Sequence, residues 1–337
     1  MDVRVVNVTL TFNQALRTAY GTLRTRELLL LRLSDADGAV GWGEAAPLEP
    51  YDGVSIAKVR AAFEAYEAIL EDGDSAPPGE LLERCRIVAD IPQALAAVDL
   101  ALWDRAGNRE NKPVAELIAS DPARAVRVNA TIPAQDRALA ARQAAAAAGE
   151  GYTCVKVKVG VGDDAGRVAA VRAAAGPQME LRLDANGAWE VDEAVAAIEA
   201  LAPAGLELVE EPVHGVQAMR AVRERVAVRV AMDETAGEPG SLTAHVADAV
   251  CLKVSRCGGI SRLLAQAALV RASGADVYLA STFDGPLGIA AAVHCAAALR
   301  VQAPCGLATL SLLDLPVPGA LQVRDGAIPV PAGPGLF

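Results

Sequence analysis

The chain has 337 residues, of which 53% are hydrophobic, and its 42 acidic and 31 basic residues give a formal net charge of −11. It contains no uninterrupted apolar run of about 18 residues, and no Lys/Arg tract that could neutralise a row of phosphates, which argues against membrane-spanning and nucleic-acid-binding classes. Its first residues, MDVRVVNVTLTF, alternate like a strand and lack a signal-peptide pattern, so we expect a cytoplasmic protein. The six cysteines have no CxxC spacing and are expected to be buried, reduced thiols.

The first third of the sequence predicts a small α+β domain over about residues 1–120. Alternating residues predict antiparallel strands at 3–12 and 27–34, and DADG at 35–38 is typical of a hairpin turn. Apolar residues then recur at helical spacing over 55–70 and 91–107.

After a passage at 121–125, short β-branched runs alternate with Ala-rich helical segments. This pattern predicts a (β/α)₈-type barrel over 121–310. A Pro- and Gly-rich tail, 311–337, is expected to fold back over the first domain. The eight predicted strands are 125–131, 153–159, 180–184, 206–210, 228–233, 249–254, 276–281 and 305–309.

Charged residues close five successive runs of this barrel, roughly one strand-plus-helix unit apart. In such barrels the carboxyl ends of the strands form the active-site face, so we expect these side chains to meet there. They are Lys156 and Lys158, Asp184, Glu210, Asp233 and Lys253.

Three of these residues are acids on consecutive strands. Any one of them alone is better explained as a helix cap or a surface acid, but their periodic placement favours a shared cation. Carboxylates without His or Cys suit Mg²⁺, with Mn²⁺ as a substitute, so we predict a metal site at Asp184, Glu210 and Asp233. Only one of Glu210 and Glu211 can face inward, and the phase of the strand favours Glu210, with Glu211 pointing outward to an Arg.

The lysines flank this acidic set. Side chains two apart in a strand share a face, so Lys156 and Lys158 point the same way. Each ammonium disfavours the charge of the other, and burial disfavours both, so we expect a lysine pKa lowered towards that of a usable base. With Lys253 across the barrel, the arrangement suits removal of a proton next to a carboxylate.

Seven motifs give the chain a nearly end-to-end resemblance to the enolase superfamily, specifically to its muconate lactonising enzyme subgroup. They are GWGEAAP at 41–47, AVDLALWDRAGNRENKPVAELI at 97–118, and then KVK, DANGAW, VEEP, MDET and LKVSRCGGI in family order. The resemblance implies a modified TIM barrel with an α+β capping domain, which is formed by the amino-terminal segment and the carboxy-terminal tail. It also implies that Asp184, Glu210 and Asp233 bind magnesium, that Lys158 and Lys253 are the acid/base residues, and that Lys156 supports them.

Within the subgroup, RLDANGAW, STFDGPLGIAAA and CGLATLSLLD are similar to the o-succinylbenzoate synthase family. This resemblance implies magnesium-dependent dehydration of a small carboxylate, 2-succinyl-6-hydroxy-2,4-cyclohexadiene-1-carboxylate, in menaquinone biosynthesis. Lys158 would remove the α-proton to give an enediolate and then assist departure of the hydroxyl. Lys253 would remain a cation on the opposite side.

Other readings of the same scaffold stay open. Racemisation of N-succinylamino acids or epimerisation of dipeptides would use both lysines as alternating acid and base, although the DxD that dipeptide epimerases usually carry on the eighth strand is absent. Cycloisomerisation of muconate is a weaker alternative. A His–Asp dyad as in the mandelate racemase branch is disfavoured, because His214, His245 and His294 close neither the sixth nor the seventh strand.

Two further alternatives belong to other classes of protein. A non-catalytic barrel could bind a carboxylate ligand through the same charged residues, and a phosphate could bind at Gly258–Gly259, which more simply form a tight turn.

Substrate specificity is expected to come from the small domain as it closes over the barrel mouth. The predicted loops are 17–26, with Arg17 and Tyr20, and 47–53. Hydroxyls on strand seven are expected to bind a distal succinyl carboxylate. The predicted substrate-binding residues are Arg24, Tyr51, Arg182, Asn186, Ser281 and Thr282.

Overall fold

The computed structural model describes residues 1–18 and 21–337. Its amino-terminal part is a three-stranded antiparallel sheet in the order β1-β2-β3 that packs against helices. The elements are β1 (Asp2–Thr18), β2 (Gly21–Ser34), β3 (Val40–Ala45), α1 (Glu49–Asp52), α2 (Ile56–Glu71), α3 (Pro78–Val88), α4 (Pro92–Glu110) and α5 (Val114–Ile118).

The predicted strands at 3–12 and 27–34 are confirmed but are longer than expected. Most of the predicted loop 17–26 belongs to the two strands, because their pairing continues past a register shift to Leu16 and Leu23. Tyr20 lies outside the described residues. Residues 17–18 and 21–26 are strand and not loop, although Thr18 lies at the mouth of the barrel, as expected of this segment.

Two glycines of the GWGEA motif let β3 lie directly on the backbone of α4. A Cβ atom at Gly41 would lie 2.0 Å from the carbonyl oxygen of Ala101, and one at Gly43 would lie 1.8 Å from that of Ala97. Because strand side chains alternate, the next residue, Glu44, points to the other face, towards the barrel.

We expect Gly43→Ala to lower the free energy of unfolding by about 3 kcal/mol or more, because the added methyl group must displace backbone. Gly79→Ala, in α3, is the matched control. A Cβ there meets nothing within 4 Å, so better helix propensity should stabilise the protein by roughly 0.5–1 kcal/mol. Urea denaturation of both variants measures the difference, and equal midpoints would contradict the close packing.

The second part of the chain is a parallel sheet of seven strands in the order β11-β10-β9-β8-β7-β6-β5. The sheet is curled, since the segment at 305–306 bridges Val128 next to one edge and Ala280 next to the other. This confirms the predicted barrel with a separate α+β domain. The seven strands of this sheet are β5 (Ala130–Ile132), β6 (Cys154–Lys158), β7 (Glu180–Asp184), β8 (Leu206–Glu210), β9 (Arg229–Met232), β10 (Ala249–Leu252) and β11 (Asp276–Leu279), and two further strands, β4 (Ala125–Arg127) and β12 (Ala327–Pro329), pair with each other.

Helices connect these strands and cover the outside of the sheet. None of the helices within residues 1–18 and 21–337 is long and apolar enough to cross a membrane. The helices are α6 (Arg137–Gly149), α7 (Asp164–Ala175), α8 (Val191–Leu201), α9 (Val216–Arg223), α10 (Val254–Cys257), α11 (Ile260–Ala272) and α12 (Pro286–Ala298).

Two of the eight predicted barrel strands differ in the structure. The run 125–131 is divided, because β4 pairs with β12 of the tail while only β5 joins the barrel sheet. The run 305–309 makes single bridges instead of a strand. Successive residues of this run bond to opposite edges of the sheet. The N–H of Cys305 donates to the carbonyl oxygen of Arg127, near β5, and the N–H of Gly306 donates to the carbonyl oxygen of Leu279, at the end of β11.

The carboxy-terminal tail contacts both parts of the chain. Leu313 bridges Phe12 of β1, β12 pairs with β4, and the N–H of Leu336 donates to Asp104 of α4 at 2.8 Å. The tail therefore folds back over the first domain, as predicted, and it also contacts the amino-terminal end of the barrel. All six cysteines are free and buried, as expected.

Candidate active site

A cavity opens where the carboxyl ends of the barrel strands meet the first part of the chain. Lys158, Asp184 and Glu210 are the last residues of β6, β7 and β8, while Asp233 and Lys253 directly follow β9 and β10. These residues and Lys156, together called the charged train, therefore converge as predicted, with Glu210 buried beneath the cavity wall. The lining residues include Leu16, Thr18, Leu48, Tyr51, Thr131, Pro133, Lys156, Lys158, Asp184, Asn186, Asp233, Lys253, Ser281, Thr282, Phe283, Thr309 and Leu312.

Each lysine of the train is held by an acid of the train. The Lys156 ammonium bridges Asp184 Oδ2 at 3.0 Å and Glu210 Oε1 at 2.9 Å. The Lys158 ammonium donates to Asp184 Oδ2 at 2.5 Å, and Lys253 donates to both oxygens of Asp233 at 2.6 and 2.5 Å. Three positive and three negative charges thus neutralise one another at the barrel mouth.

The prediction that burial and a neighbouring ammonium lower the lysine pKa is wrong for Lys156. Burial lowers its pKa, but the nearby charges of Asp184 and Glu210 outweigh burial and raise the pKa well above the usual lysine value. Burial likewise lowers the pKa of Lys253, and the charge of Asp233 raises it further than burial lowers it. Both ammonium groups are therefore cations at neutral pH.

The three acids provide a donor set that fits a hard divalent cation. They are almost fully buried, and burial together with the charges of Asp184 and Asp233 raises the pKa of Glu210. Cys251 lies within 4.8 Å of the Glu210 and Asp233 oxygens. Burial raises the pKa of its thiol well above the usual value, so it remains a neutral thiol. The carboxylates supply the hard oxygen ligands that Mg²⁺ prefers, although Asp184 lies outside the group of atoms within 4.8 Å of one another that Glu210, Asp233 and Cys251 form.

The prediction that Glu211 points outward to an Arg is wrong. Glu211 is fully buried, with a positive φ of 40° that turns its side chain inward just after β8 ends. Its carboxylate accepts hydrogen bonds from the backbone N–H groups of Asp233 at 2.7 Å and Thr235 at 2.9 Å. Glu211 therefore fixes the chain that carries Asp233.

Four of the predicted substrate-binding residues line the cavity. Asn186 accepts from the Lys158 ammonium at 2.6 Å, and the Tyr51 hydroxyl accepts from the Lys253 ammonium at 2.6 Å. Ser281 and Thr282 follow β11, and the Ser281 hydroxyl lies 2.8 Å from the hydroxyl of Thr309.

The other two predicted residues do not line the cavity. Arg182 is buried below it, where it donates to Glu207 at 2.6 Å and to the Pro304 carbonyl at 2.7 Å and lies over the Tyr278 ring. Arg24 is exposed on β2. The buried arginine of that strand is Arg26, which sequence reasoning did not single out.

Sequence reasoning also missed Tyr278. Its hydroxyl donates to Glu210 Oε2 at 2.7 Å and so orients that carboxylate from below. The signal was available, because Tyr278 shares the inward phase of β11 with Ala280, which lines the cavity.

Comparison with known proteins gives two family models that match the chain. "Mandelate racemase / muconate lactonizing enzyme, N-terminal domain" matches residues 1–119, and "Enolase C-terminal domain-like" matches residues 139–336. An o-succinylbenzoate synthase from Thermobifida fusca is 36% identical, over 92% of this chain and 85% of the relative. An L-Ala-D/L-Glu epimerase from Bacillus subtilis is 30% identical, over 98% of this chain and 93% of the relative.

A solved structure is similar over almost its full length. The dipeptide epimerase from Enterococcus faecalis V583, complexed with Mg and the dipeptide L-Leu-L-Tyr, has a TM-score of 0.91 and 26% identity, and the match covers 99% of this chain and 98% of that one.

Proposed function

Because the chain belongs to the muconate lactonizing enzyme subgroup of the enolase superfamily, we propose that it is a magnesium-dependent o-succinylbenzoate synthase. It would dehydrate 2-succinyl-6-hydroxy-2,4-cyclohexadiene-1-carboxylate to o-succinylbenzoate in menaquinone biosynthesis. The relative from Thermobifida fusca, at 36% identity, supports this choice within the subgroup.

The observation that carries the proposal is the character of the cavity wall outside the charged train. That wall presents apolar side chains and hydroxyls, and among the described lining residues the only carboxylates are Asp184 and Asp233. A dipeptide has an ammonium group that would need a further carboxylate there. A cyclohexadiene ring suits Phe283 and Leu312, and a succinyl carboxylate can accept from the hydroxyls of Ser281 and Thr309.

Asp184, Glu210 and Asp233 are the residues that would hold the metal ion. When bound there, Mg²⁺ would supply positive charge to the substrate carboxylate and so favour loss of the neighbouring proton. Glu210 is oriented by Tyr278 and Lys156, which suits a rigid ligand set.

Lys158 is the residue that we assign as base. Its side chain is 29% exposed and reaches into the cavity, while Asn186 and Asp184 fix its ammonium nitrogen. In its neutral form it takes the proton α to the carboxylate. The protonated lysine then donates that proton to the departing hydroxyl, which leaves as water as the ring becomes aromatic.

Lys253 has a different proposed role. Held by Asp233 and lying over the Tyr51 ring at 4.5 Å, it remains a cation and stabilises the developing negative charge without moving a proton. Lys156, buried between Asp184 and Glu210, keeps those carboxylates in place.

Racemisation of N-succinylamino acids is the second candidate. It is favoured by one observation, that lysines from β6 and β10 both line the same cavity, so two bases could face one carbon from opposite sides. The Bacillus subtilis epimerase relative supports it too.

The deciding experiment compares substrates on one preparation of the protein with magnesium. We expect dehydration, followed by the absorbance of the aromatic product, to exceed racemisation of N-succinylamino acids in kcat/KM by about tenfold or more. L-Ala-L-Glu should not be epimerised. Faster racemisation would assign the second candidate, and binding of carboxylates without turnover of any of them would leave a non-catalytic barrel.

A further inference from the structure

The turn after β11 carries three of the side chains that line the cavity, Ser281, Thr282 and Phe283. Phe283 has a positive φ of 57°, which an L-residue with a large side chain rarely adopts and which costs about 1 kcal/mol or more. Such a conformation persists only where its surroundings hold it, so the contacts of this turn decide how the cavity is shaped.

Arg26 of β2 makes the first of these contacts. Its Nε donates to the carbonyl oxygens of Thr282 and Phe283, each at 3.2 Å, and its Nη2 donates to that of Ala46 at 2.7 Å. Arg26 is 2% exposed, so its guanidinium joins the turn to the segment after β3 away from water.

Glu44 of β3 makes the second contact, at the start of α12. Its Oε1 accepts from the N–H of Gly285 at 2.7 Å. A Cβ at Gly285 would lie 2.6 Å from Glu44 Oε2, and one at Gly288 would lie 2.8 Å from Oε1. The two glycines thus let the helix start close over this carboxyl group.

Asp284 completes the cluster. Its Oδ1 accepts from the Thr282 hydroxyl at 2.7 Å. A Cβ at Gly288 would lie 3.3 Å from Asp284 Cγ as well as 2.8 Å from Glu44 Oε1, so the two carboxyl groups lie near each other. Among the described residues, neither Glu44 Oε2 nor Asp284 Oδ2 has a hydrogen-bond partner. Burial, and then the charge of Asp284, raises the pKa of Glu44 to about 8, so Glu44 is a neutral acid at pH 7.

We infer that Arg26 and Glu44 are positioning residues, which hold the Ser281–Asp284 turn from the capping side and so set the affinity for the distal carboxylate of the substrate. Neither residue lines the cavity, so each acts through the turn and not through the transferred proton. The inference rests on the proposed function for the identity of that substrate.

Kinetics of three variants test the inference. Glu44→Ala should raise the KM for the dehydration substrate about tenfold, the effect of one lost buried hydrogen bond, while kcat stays within about threefold. Glu44→Gln should keep KM within about threefold of wild type, because its amide oxygen still accepts from Gly285 and its amide N–H can donate to Asp284. Glu64→Ala, which removes an exposed carboxylate of α2, is the matched control.

Hydrogen exchange gives a readout that needs no activity. In Glu44→Ala the amides of 282–285 should exchange faster while those of β6–β8 keep their protection, and Glu44→Gln should match wild type. If wild type fails to dehydrate the substrate, the proposed function fails, but this exchange pattern still decides the positioning role.

Two results would overturn the inference. One is wild-type KM together with wild-type exchange at 282–285 in Glu44→Ala. The other is equal damage in Glu44→Gln and Glu44→Ala, which would indicate a need for the carboxylate charge and not for a hydrogen bond. If Glu44→Ala does not fold, Arg26→Lys replaces it, because lysine cannot reach both Thr282 and Ala46, and wild-type behaviour of that variant would refute the role.

Discussion

Replacing Lys158 with alanine should lower kcat for dehydration about 10³- to 10⁴-fold and change KM little, because the variant loses the group that both takes and returns the proton. The Lys158 side chain is the partly exposed member of the charged train, 29% exposed against 10% for Lys156 and 8% for Lys253. It is therefore the lysine with the best access to a substrate. Steady-state kinetics with saturating magnesium give both parameters.

Lys253→Ala separates dehydration from racemisation. In a dehydratase its loss removes a stabilising charge, so kcat should fall about 10²-fold, while Lys158 continues to exchange the α-proton of the substrate with deuterium from solvent. In a racemase that alternates two bases, each alanine variant should abolish racemisation. Lys112→Ala, an exposed lysine outside the cavity, is the matched control. Unchanged dehydration in Lys158→Ala would contradict the base assignment.

The sequence was sufficient to locate the charged train because only local rules are involved. A strand alternates its side chains with a period of two, and a βα unit has a limited range of lengths, so Asp184 and Glu210 had to reach the same end of the sheet. The rule fails one residue later. Glu211 lies beyond the last paired residue of β8, where φ and not the alternation of the strand sets the direction of the side chain.

Contacts between distant parts of the chain could not be predicted in this way. Arg26 and the Thr282 carbonyl are 256 residues apart, and no spacing or periodicity relates them. Arg182 shows the converse. It lies two residues before Asp184 on the same face of β7, which predicts a place in the active site, but it is nearer the start of the strand, and its guanidinium is buried beneath the cavity, where it donates to Glu207. The predicted strand at 305–309 is wrong because single bridges, and not a paired strand, close the barrel there.

Asp184→Asn should strongly weaken magnesium binding and, with it, dehydration. Asp184 is the acid shared by two ammonium groups, Lys156 at 3.0 Å and Lys158 at 2.5 Å. Mutation of groups that only support a metal ligand typically lowers affinity 10- to 100-fold, so removing a ligand should lower it by more than about 100-fold. Titration calorimetry with Mg²⁺ measures this loss without any substrate.

Glu180→Gln is the control for this experiment because Glu180 starts the same strand that Asp184 ends. Glu180 pairs with Arg127 at 3.1 Å on the surface, so its loss should leave magnesium affinity unchanged and alter stability by less than about 1 kcal/mol. Asp184→Asn also leaves Lys156 and Lys158 with one negative charge fewer, so its melting temperature without metal should fall. If Asp184→Asn binds Mg²⁺ as wild type does, the three carboxylates are not a metal site, and the lysines they hold form a purely structural ion-pair network.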